Sequence, residues 1–254
     1  MAGIIITGDT HGEVRRLNNK NVRKANEGEV PDFVIIAGDF GLIWSQDPSD
    51  PAERHWFKWL DEKPWETIVV AGNHENYERI FHLPREEHLG APMYRASKRV
   101  WIAQHGNVYQ IGGRRVFMFG GALSIDKAMR QDRVTYWQEE IPTQEDLERG
   151  LDSLRSMDGQ VDYVVTHTAP REVLNVLDEH RLIETFADEE RSWDNAPGKL
   201  LDPTVSMLMK LRDAVRKDIL RTWYCGHFHC NLDVVGPSSG IRYHVLYEDL
   251  VKLG

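Results

Sequence analysis

The chain has 254 residues, 41% of them apolar and 28% charged, with a formal net charge of −9. That composition describes an ordinary globular protein of one sizeable domain, residues 1–254, and excludes wholesale disorder and a disulfide framework. The longest apolar runs fall far short of the ~20 residues a membrane span needs, and the acidic balance speaks against a dedicated nucleic-acid binder, whose affinity rests on a basic surface.

In chain order, Ile4-Ile5-Ile6-Thr7 is β-branched and stops at Gly8, as a buried strand ending in a tight turn does. Residues 13–27 are polar with Val14, Leu17, Val22 and Ala25 interspersed, which predicts a helix with one buried stripe. Phe33 to Ala37 and Ile68 to Ala71 are further strands, separated by a helix over Glu53 to Leu60 with a heavy aromatic face. Strand, helix, strand, helix, strand implies parallel pairing through crossovers. Val100 to Ala103, Asn107 to Ile111 and Arg115 to Phe119, with Gly112-Gly113 between the last two, predict an antiparallel meander.

Residues 124–140 fit no pattern. Thr143 to Met157 is expected to be helical, with Thr143 as N-cap and Asp146 completing a capping box. Val161 to Thr166 is a strand ending at His167, Glu184 to Pro203 a long acidic surface loop, and Pro203 to Lys217 a helix with proline in its first turn. Leu220 to Cys225, Leu232 to Val235 and Arg242 to Tyr247 close the chain as strands.

Five of these apolar strands run into metal-ligating residue types: Asp9 with His11, Asp39, Asn73 with His74, His167, and His227 with His229. Open α/β sheets gather functional groups at the carboxyl ends of their strands. Asp9 and Asp39 are 30 residues apart, and Asp39 and Asn73 are 34 apart, each the length of one strand–helix–strand unit that returns the chain to the same edge. Gly8, Gly38, Gly72 and Gly226 each precede a candidate ligand, where a glycine permits positive φ and leaves room for the ligand to turn inward. Carboxylate and amide oxygens with imidazoles suit hard and borderline divalent ions: manganese first, then iron, zinc or magnesium. Cys225 and Cys230 are not needed as ligands, and two cysteines fit a reducing compartment, so a cytoplasmic location is the default expectation.

The motifs Gly8-Asp9-Thr10-His11-Gly12, Gly38-Asp39, Gly72-Asn73-His74-Glu75, Thr166-His167 and Gly226-His227-Phe228-His229 resemble those of the calcineurin-like metallophosphoesterase superfamily. The resemblance implies a four-layer αββα sandwich (α/β, or α+β) with two central mixed β-sheets. It further implies that Asp9, His11 and His229 hold one divalent ion and Asn73, His167 and His227 a second. Asp39 would bridge them, with a hydroxide between the two as nucleophile. His74 would sit beside the leaving-group oxygen as proton donor or transition-state stabiliser, and Glu75 would orient His74 or cap the next helix. The Ser/Thr protein phosphatases of the superfamily place an arginine after the second motif, where this chain reads Phe40-Gly41-Leu42-Ile43-Trp44. Lys127, Arg130 and Arg133 are the candidates to supply the missing cation, and Trp44 is a candidate to stack on a substrate ring. The expected substrate is a phosphate ester, foremost a monoester. A diester such as a cyclic nucleotide or nucleic acid is the alternative, and a non-catalytic scaffold stands third. The oligomeric partner stays open.

Overall fold

The computed structural model describes residues 2–124, 127–180, 182 and 202–254. The first third alternates as expected: β1 (Ile4–Thr7), α1 (Asn19–Ala25), β2 (Phe33–Ala37), α2 (Pro51–Asp61), β3 (Glu66–Val70) and a short α3 (Tyr77–Phe81). The helix expected over 13–27 is divided. A 3₁₀ turn, Val14–Leu17, precedes α1, because the Asn18 side chain accepts from Asn21 N (3.0 Å) and starts a new helix there. Then come β4 (Arg85–His88), β5 (Ala91–Arg95), β6 (Val100–Ala103), β7 (Asn107–Ile111), β8 (Arg114–Phe119), α4 (Gln144–Arg155), β9 (Tyr163–Thr166), α5 (Arg171–Glu179), α6 (Pro203–Ala214), β10 (Thr222–Cys225), β11 (Leu232–Val235), β12 (Arg242–Val245) and β13 (Val251–Lys252).

The strands form two mixed sheets. The seven-stranded sheet has the order β13-β1-β2-β3-β6-β5-β4, parallel from β1 through β6 and antiparallel at both flanks. The six-stranded sheet has the order β11-β12-β10-β9-β8-β7, parallel from β12 through β8. The expected meander is therefore wrong. β6 joins β3 in the first sheet, and only β7 and β8 pair as a hairpin, in the second. The crossing falls at Gly106, whose positive φ (79°) redirects the chain. Gly112 and Gly113, both at positive φ, make the hairpin turn. The β4–β5 hairpin has no apolar run to announce it, since Arg85-Glu86-Glu87-His88 is a charged edge strand.

Three apolar cores make four layers. Ile4, Ile6, Ile35, Val70, Val116, Met118, Val165 and Tyr224 meet between the sheets. The opposite faces of the first sheet (Ile5, Val34, Ile36, Val69) pack on Val22 of α1 and Leu60 of α2. Those of the second sheet (Phe117, Val164, Trp223) pack on α4, α5 and α6 through Leu147, Leu154, Val173, Leu208 and Leu211. With both faces covered, the central strands read as continuous apolar runs. The αββα sandwich expected from the motifs is the observed architecture. Thr143 caps α4 in a capping box with Asp146, and Pro203 opens α6. Residues 124–140 hold two short 3₁₀ turns, Lys127–Met129 and Gln138–Glu140. The loop expected over 184–203, including Trp193, lies outside the described residues up to its last two positions. Among the described residues, no helix is long and apolar enough to cross a membrane.

Candidate metal centre

β1, β2 and β3 of one sheet and β9 and β10 of the other present their carboxyl ends to one place. The loops that follow carry Asp9 and His11, Asp39, Asn73 and His74, His167, and His227 and His229. Three clusters of donors result, each within 4.8 Å: Asp9, His11 and His229; His11, Asp39 and His74; Asp39, His167 and His227. Asn73 joins the third through Oδ1, 2.9 Å from His167 Nε2. His74, expected only at the leaving group, thus stands within reach of His11 and Asp39 as well.

The glycines act by absence of bulk. A Cβ on Gly72 would collide with Asp39 Oδ1 and His167 Nε2, one on Gly226 with Asp9 Oδ1, and one on Gly38 with His167 Nδ1. Positive φ falls on the candidate ligands themselves: His11 (45°), Asp39 (43°), His227 (72°) and His229 (47°), with Gly38 the one preceding glycine to share it. For residues with a Cβ this conformation costs roughly 1–2 kcal/mol each. Clustered strain of this kind marks a site whose geometry the surrounding structure enforces.

Hydrogen bonds do the enforcing. Asp39 Oδ1 accepts from His74 N (2.8 Å), and both oxygens of Asp9 accept from His227 N (3.0 Å). Asp39 O accepts from Thr10 N and His11 N, tying the first two motif loops together. Arg16 Nη2 donates to Gly8 O and Asp9 O, each at 2.6 Å, and so clamps the first loop. Glu75 corrects its expected role. Its buried carboxyl accepts from Phe40 N (2.6 Å) and Gly41 N (3.4 Å), bracing the loop after Asp39, while Asn76 caps α3. Burial, with the nearby Asp39 charge, pushes Glu75 up to about 8.

Protonation follows from the same contacts. The carbonyl of Ala37 can only accept, so His167 Nδ1, 3.1 Å away, carries a hydrogen and Nε2 faces the cluster. Burial opposes charge on Asp39, yet His167 at 3.2 Å, with His74 and His11, holds its carboxyl well below the ordinary range. Burial likewise opposes charge on His167, but Asp39 and Asp9 outweigh it and raise the ring to about 9. Burial, with His167 nearby, lowers His227 to about 3. Buried Asp9 and Asp39 set carboxylate oxygens among imidazole nitrogens, a donor set that calls for cations.

Divalent ions fit that demand. Donors ~2.1 Å from one ion stand about 3.0 Å apart at a right angle and about 3.4 Å apart at a tetrahedral one. His11 Nε2 and His229 Nε2 are 2.9 Å apart, His229 Nε2 and Asp9 Oδ2 3.2 Å, and His167 Nε2 and Asp39 Oδ1 3.2 Å. Cys225 and Cys230 belong to none of the three clusters.

At the rim, Arg130 Nη2 donates to His74 Nε2 at 2.7 Å. Trp44 stacks on His74 (5.6 Å between ring centres, 23° between planes) and meets Trp137 edge-on. The structure does not bring the other two cations to His74. Arg133 is exposed and pairs with Glu78 (3.4 Å) and Glu139 (3.6 Å), and exposed Lys127 lies over the Tyr136 ring. Two buried supports went unread in the sequence, Ser124 and Glu140. Asn73 Nδ2 donates to Ser124 Oγ (3.2 Å), and Glu140 accepts from both Ser124 N and Ser124 Oγ at 2.7 Å. The one available signal was a carboxylate in a segment with no periodicity.

The chain belongs to the calcineurin-like phosphoesterase family, whose model matches residues 3–231. It is a metal-dependent phosphoric ester hydrolase of the dinuclear kind. No curated protein matches it. Among solved structures it is similar to a phosphopantetheinyl hydrolase from Mycobacterium tuberculosis (17% identity, 99% of this chain and 95% of that one, TM-score 0.48). It is also similar to a candidate 5′-nucleotidase from Staphylococcus aureus solved with alpha-ketoglutarate (14% identity, 97% of this chain, TM-score 0.48). The chain covers 49% of that second protein. Likenesses at this level carry nothing about substrate.

Proposed function

We propose that this hydrolase is a phosphomonoesterase, and that its ligands are Asp9, His11 and His229 for one ion and Asn73, His167 and His227 for the other, with Asp39 between them. The observation that supports the monoester reading is the Arg130 guanidinium set on His74 at the mouth of the centre. A monoester phosphate is a dianion near neutral pH, and a fork of N–H donors matches its oxygens. Arg130 would fill the place left by Phe40-Gly41-Leu42 after the second motif. Two divalent ions, manganese first given the oxygen and imidazole donors, would supply Lewis-acid polarisation of the phosphoryl group and a nucleophile at neutral pH.

The chain's own residues do the rest. A guanidinium only donates, so His74 Nε2 accepts from Arg130. When a phosphate oxygen takes the guanidinium, Nε2 can take up a proton from water and pass it to the departing alkoxide. Trp44 holds the His74 ring by stacking, so its role is to position that ring rather than a substrate base.

The test compares p-nitrophenyl phosphate with bis-p-nitrophenyl phosphate on manganese-loaded protein. The monoester is expected to turn over faster. Arg130→Ala should lower its kcat/KM by ~10–100-fold, since a charged hydrogen bond contributes ~1.5–3 kcal/mol, and should cost the diester less. A preference for the diester, or an Arg130→Ala protein unchanged on the monoester, would overturn the proposal. Silence toward both esters with manganese, iron, zinc and magnesium would favour a scaffold.

A further inference from the structure

We infer that Ser124 and Glu140 are positioning residues that set which end of the Asn73 amide faces the metal centre. The inference rests on the proposed reading of Asn73 as a ligand. An asparagine can ligate through its oxygen but not through its NH₂, and the two ends are nearly identical in shape. A group outside the centre can fix the rotation about the last side-chain bond before an ion arrives.

The direction of the hydrogen-bond chain makes that decision. Burial pushes Glu140 up to about 7, and its ionised form, which prevails above that pH, can only accept. One oxygen takes Ser124 N and the other takes Ser124 Oγ, both at 2.7 Å. The serine hydroxyl thus spends its hydrogen on Glu140 and turns a lone pair toward Asn73. Only the NH₂ end of Asn73 can satisfy that lone pair, and it does so at 3.2 Å. Oδ1 is left facing His167 Nε2 at 2.9 Å, on the ligand side. All three side chains are buried (Asn73 4%, Ser124 2% and Glu140 0% exposed), so water cannot substitute for a missing link without entering the core. Glu140 also ends the segment that carries Arg130, so one carboxylate ties the rim of the site to its floor.

Manganese binding measured by calorimetry on the full chain tests this without a substrate. Ser124→Ala is expected to weaken one of the two ions by ~10–100-fold, the usual cost of losing a group that orients a ligand, while the other ion keeps its affinity. Ser124→Thr, which retains the hydroxyl, should restore it. Glu140→Gln keeps the shape but lets the amide donate as well as accept, so it should weaken the same ion by less. It also serves if Ser124→Ala does not fold. Asn73→Ala separates the two premises. If it loses one ion while Ser124→Ala and Glu140→Gln bind both ions as the parent does, the positioning role is wrong and the ligand assignment stands. If Asn73→Ala itself binds both ions unchanged, the ligand assignment fails and takes the inference with it. Equal weakening of both ions by Ser124→Ala would point to general disruption and also overturn it.

Discussion

The two halves of the centre are built differently. On one side His11 and His229 are about a third exposed (31% and 32%), and both sit in left-handed backbone. On the other, His167 is fully buried just after β9, its Nδ1 tied to Ala37 O, and Asn73 is held by Ser124. Left-handed backbone shapes ligands in both halves, His227 (72°) included, but in the second half two ligands, His167 and Asn73, are also buried and hydrogen-bonded through their side chains. Buried, bonded ligands are already oriented before an ion arrives, whereas exposed ones exchange with water. The difference suggests a tightly kept ion beside Asn73 and a more exchangeable one beside His11.

Asp39 belongs to both halves, so its loss should have the largest effect. Asp39→Asn is expected to reduce p-nitrophenyl phosphate hydrolysis to background and to lower bound metal in both halves, as counted by elemental analysis. An active Asp39→Asn protein with two ions would break the bridging assignment. His74→Ala comes next: ~10²–10⁴-fold in kcat, the usual worth of a positioned proton donor. If it also loses an ion, the cluster of His11, Asp39 and His74 is a ligand set and the division into halves must be redrawn. The smallest effect is kinetic. A chelator followed over time should remove one ion quickly and one slowly, and His11→Ala should abolish only the fast phase. A single phase for both ions would erase the comparison.

Much of this was legible because it is local. A β-branched run, a glycine and a ligand lie within a few residues of one another, and the crossover spacing of Asp9, Asp39 and Asn73 tells the reader that they meet. The meander failed because Val100–Ala103 has the same composition in either sheet; only the turn at Gly106 decides which one it joins. The glycines make room as the sequence indicates, but left-handed backbone falls on Asp39 and three histidines, and of the four preceding glycines on Gly38 alone. Ser124 and Glu140 were invisible for a different reason. Their partner Asn73 is 51 residues away from Ser124, and no periodicity or spacing links a buried hydroxyl to an amide at that distance.

The left-handed backbone at His11, Asp39, His227 and His229 has a consequence for anyone redesigning the chain. Each would be relieved by glycine of roughly 1–2 kcal/mol of strain, offset by the ~0.5–1 kcal/mol that glycine's greater freedom in the unfolded chain costs. A stability-driven optimiser, blind to ions, would rank these four positions among its best opportunities. Thermal robustness gained that way would erase the catalyst, a trade between stability and activity written into the torsion angles. Such positions should be frozen first, and His227, with the largest of the four φ angles, is the one most tempting to change.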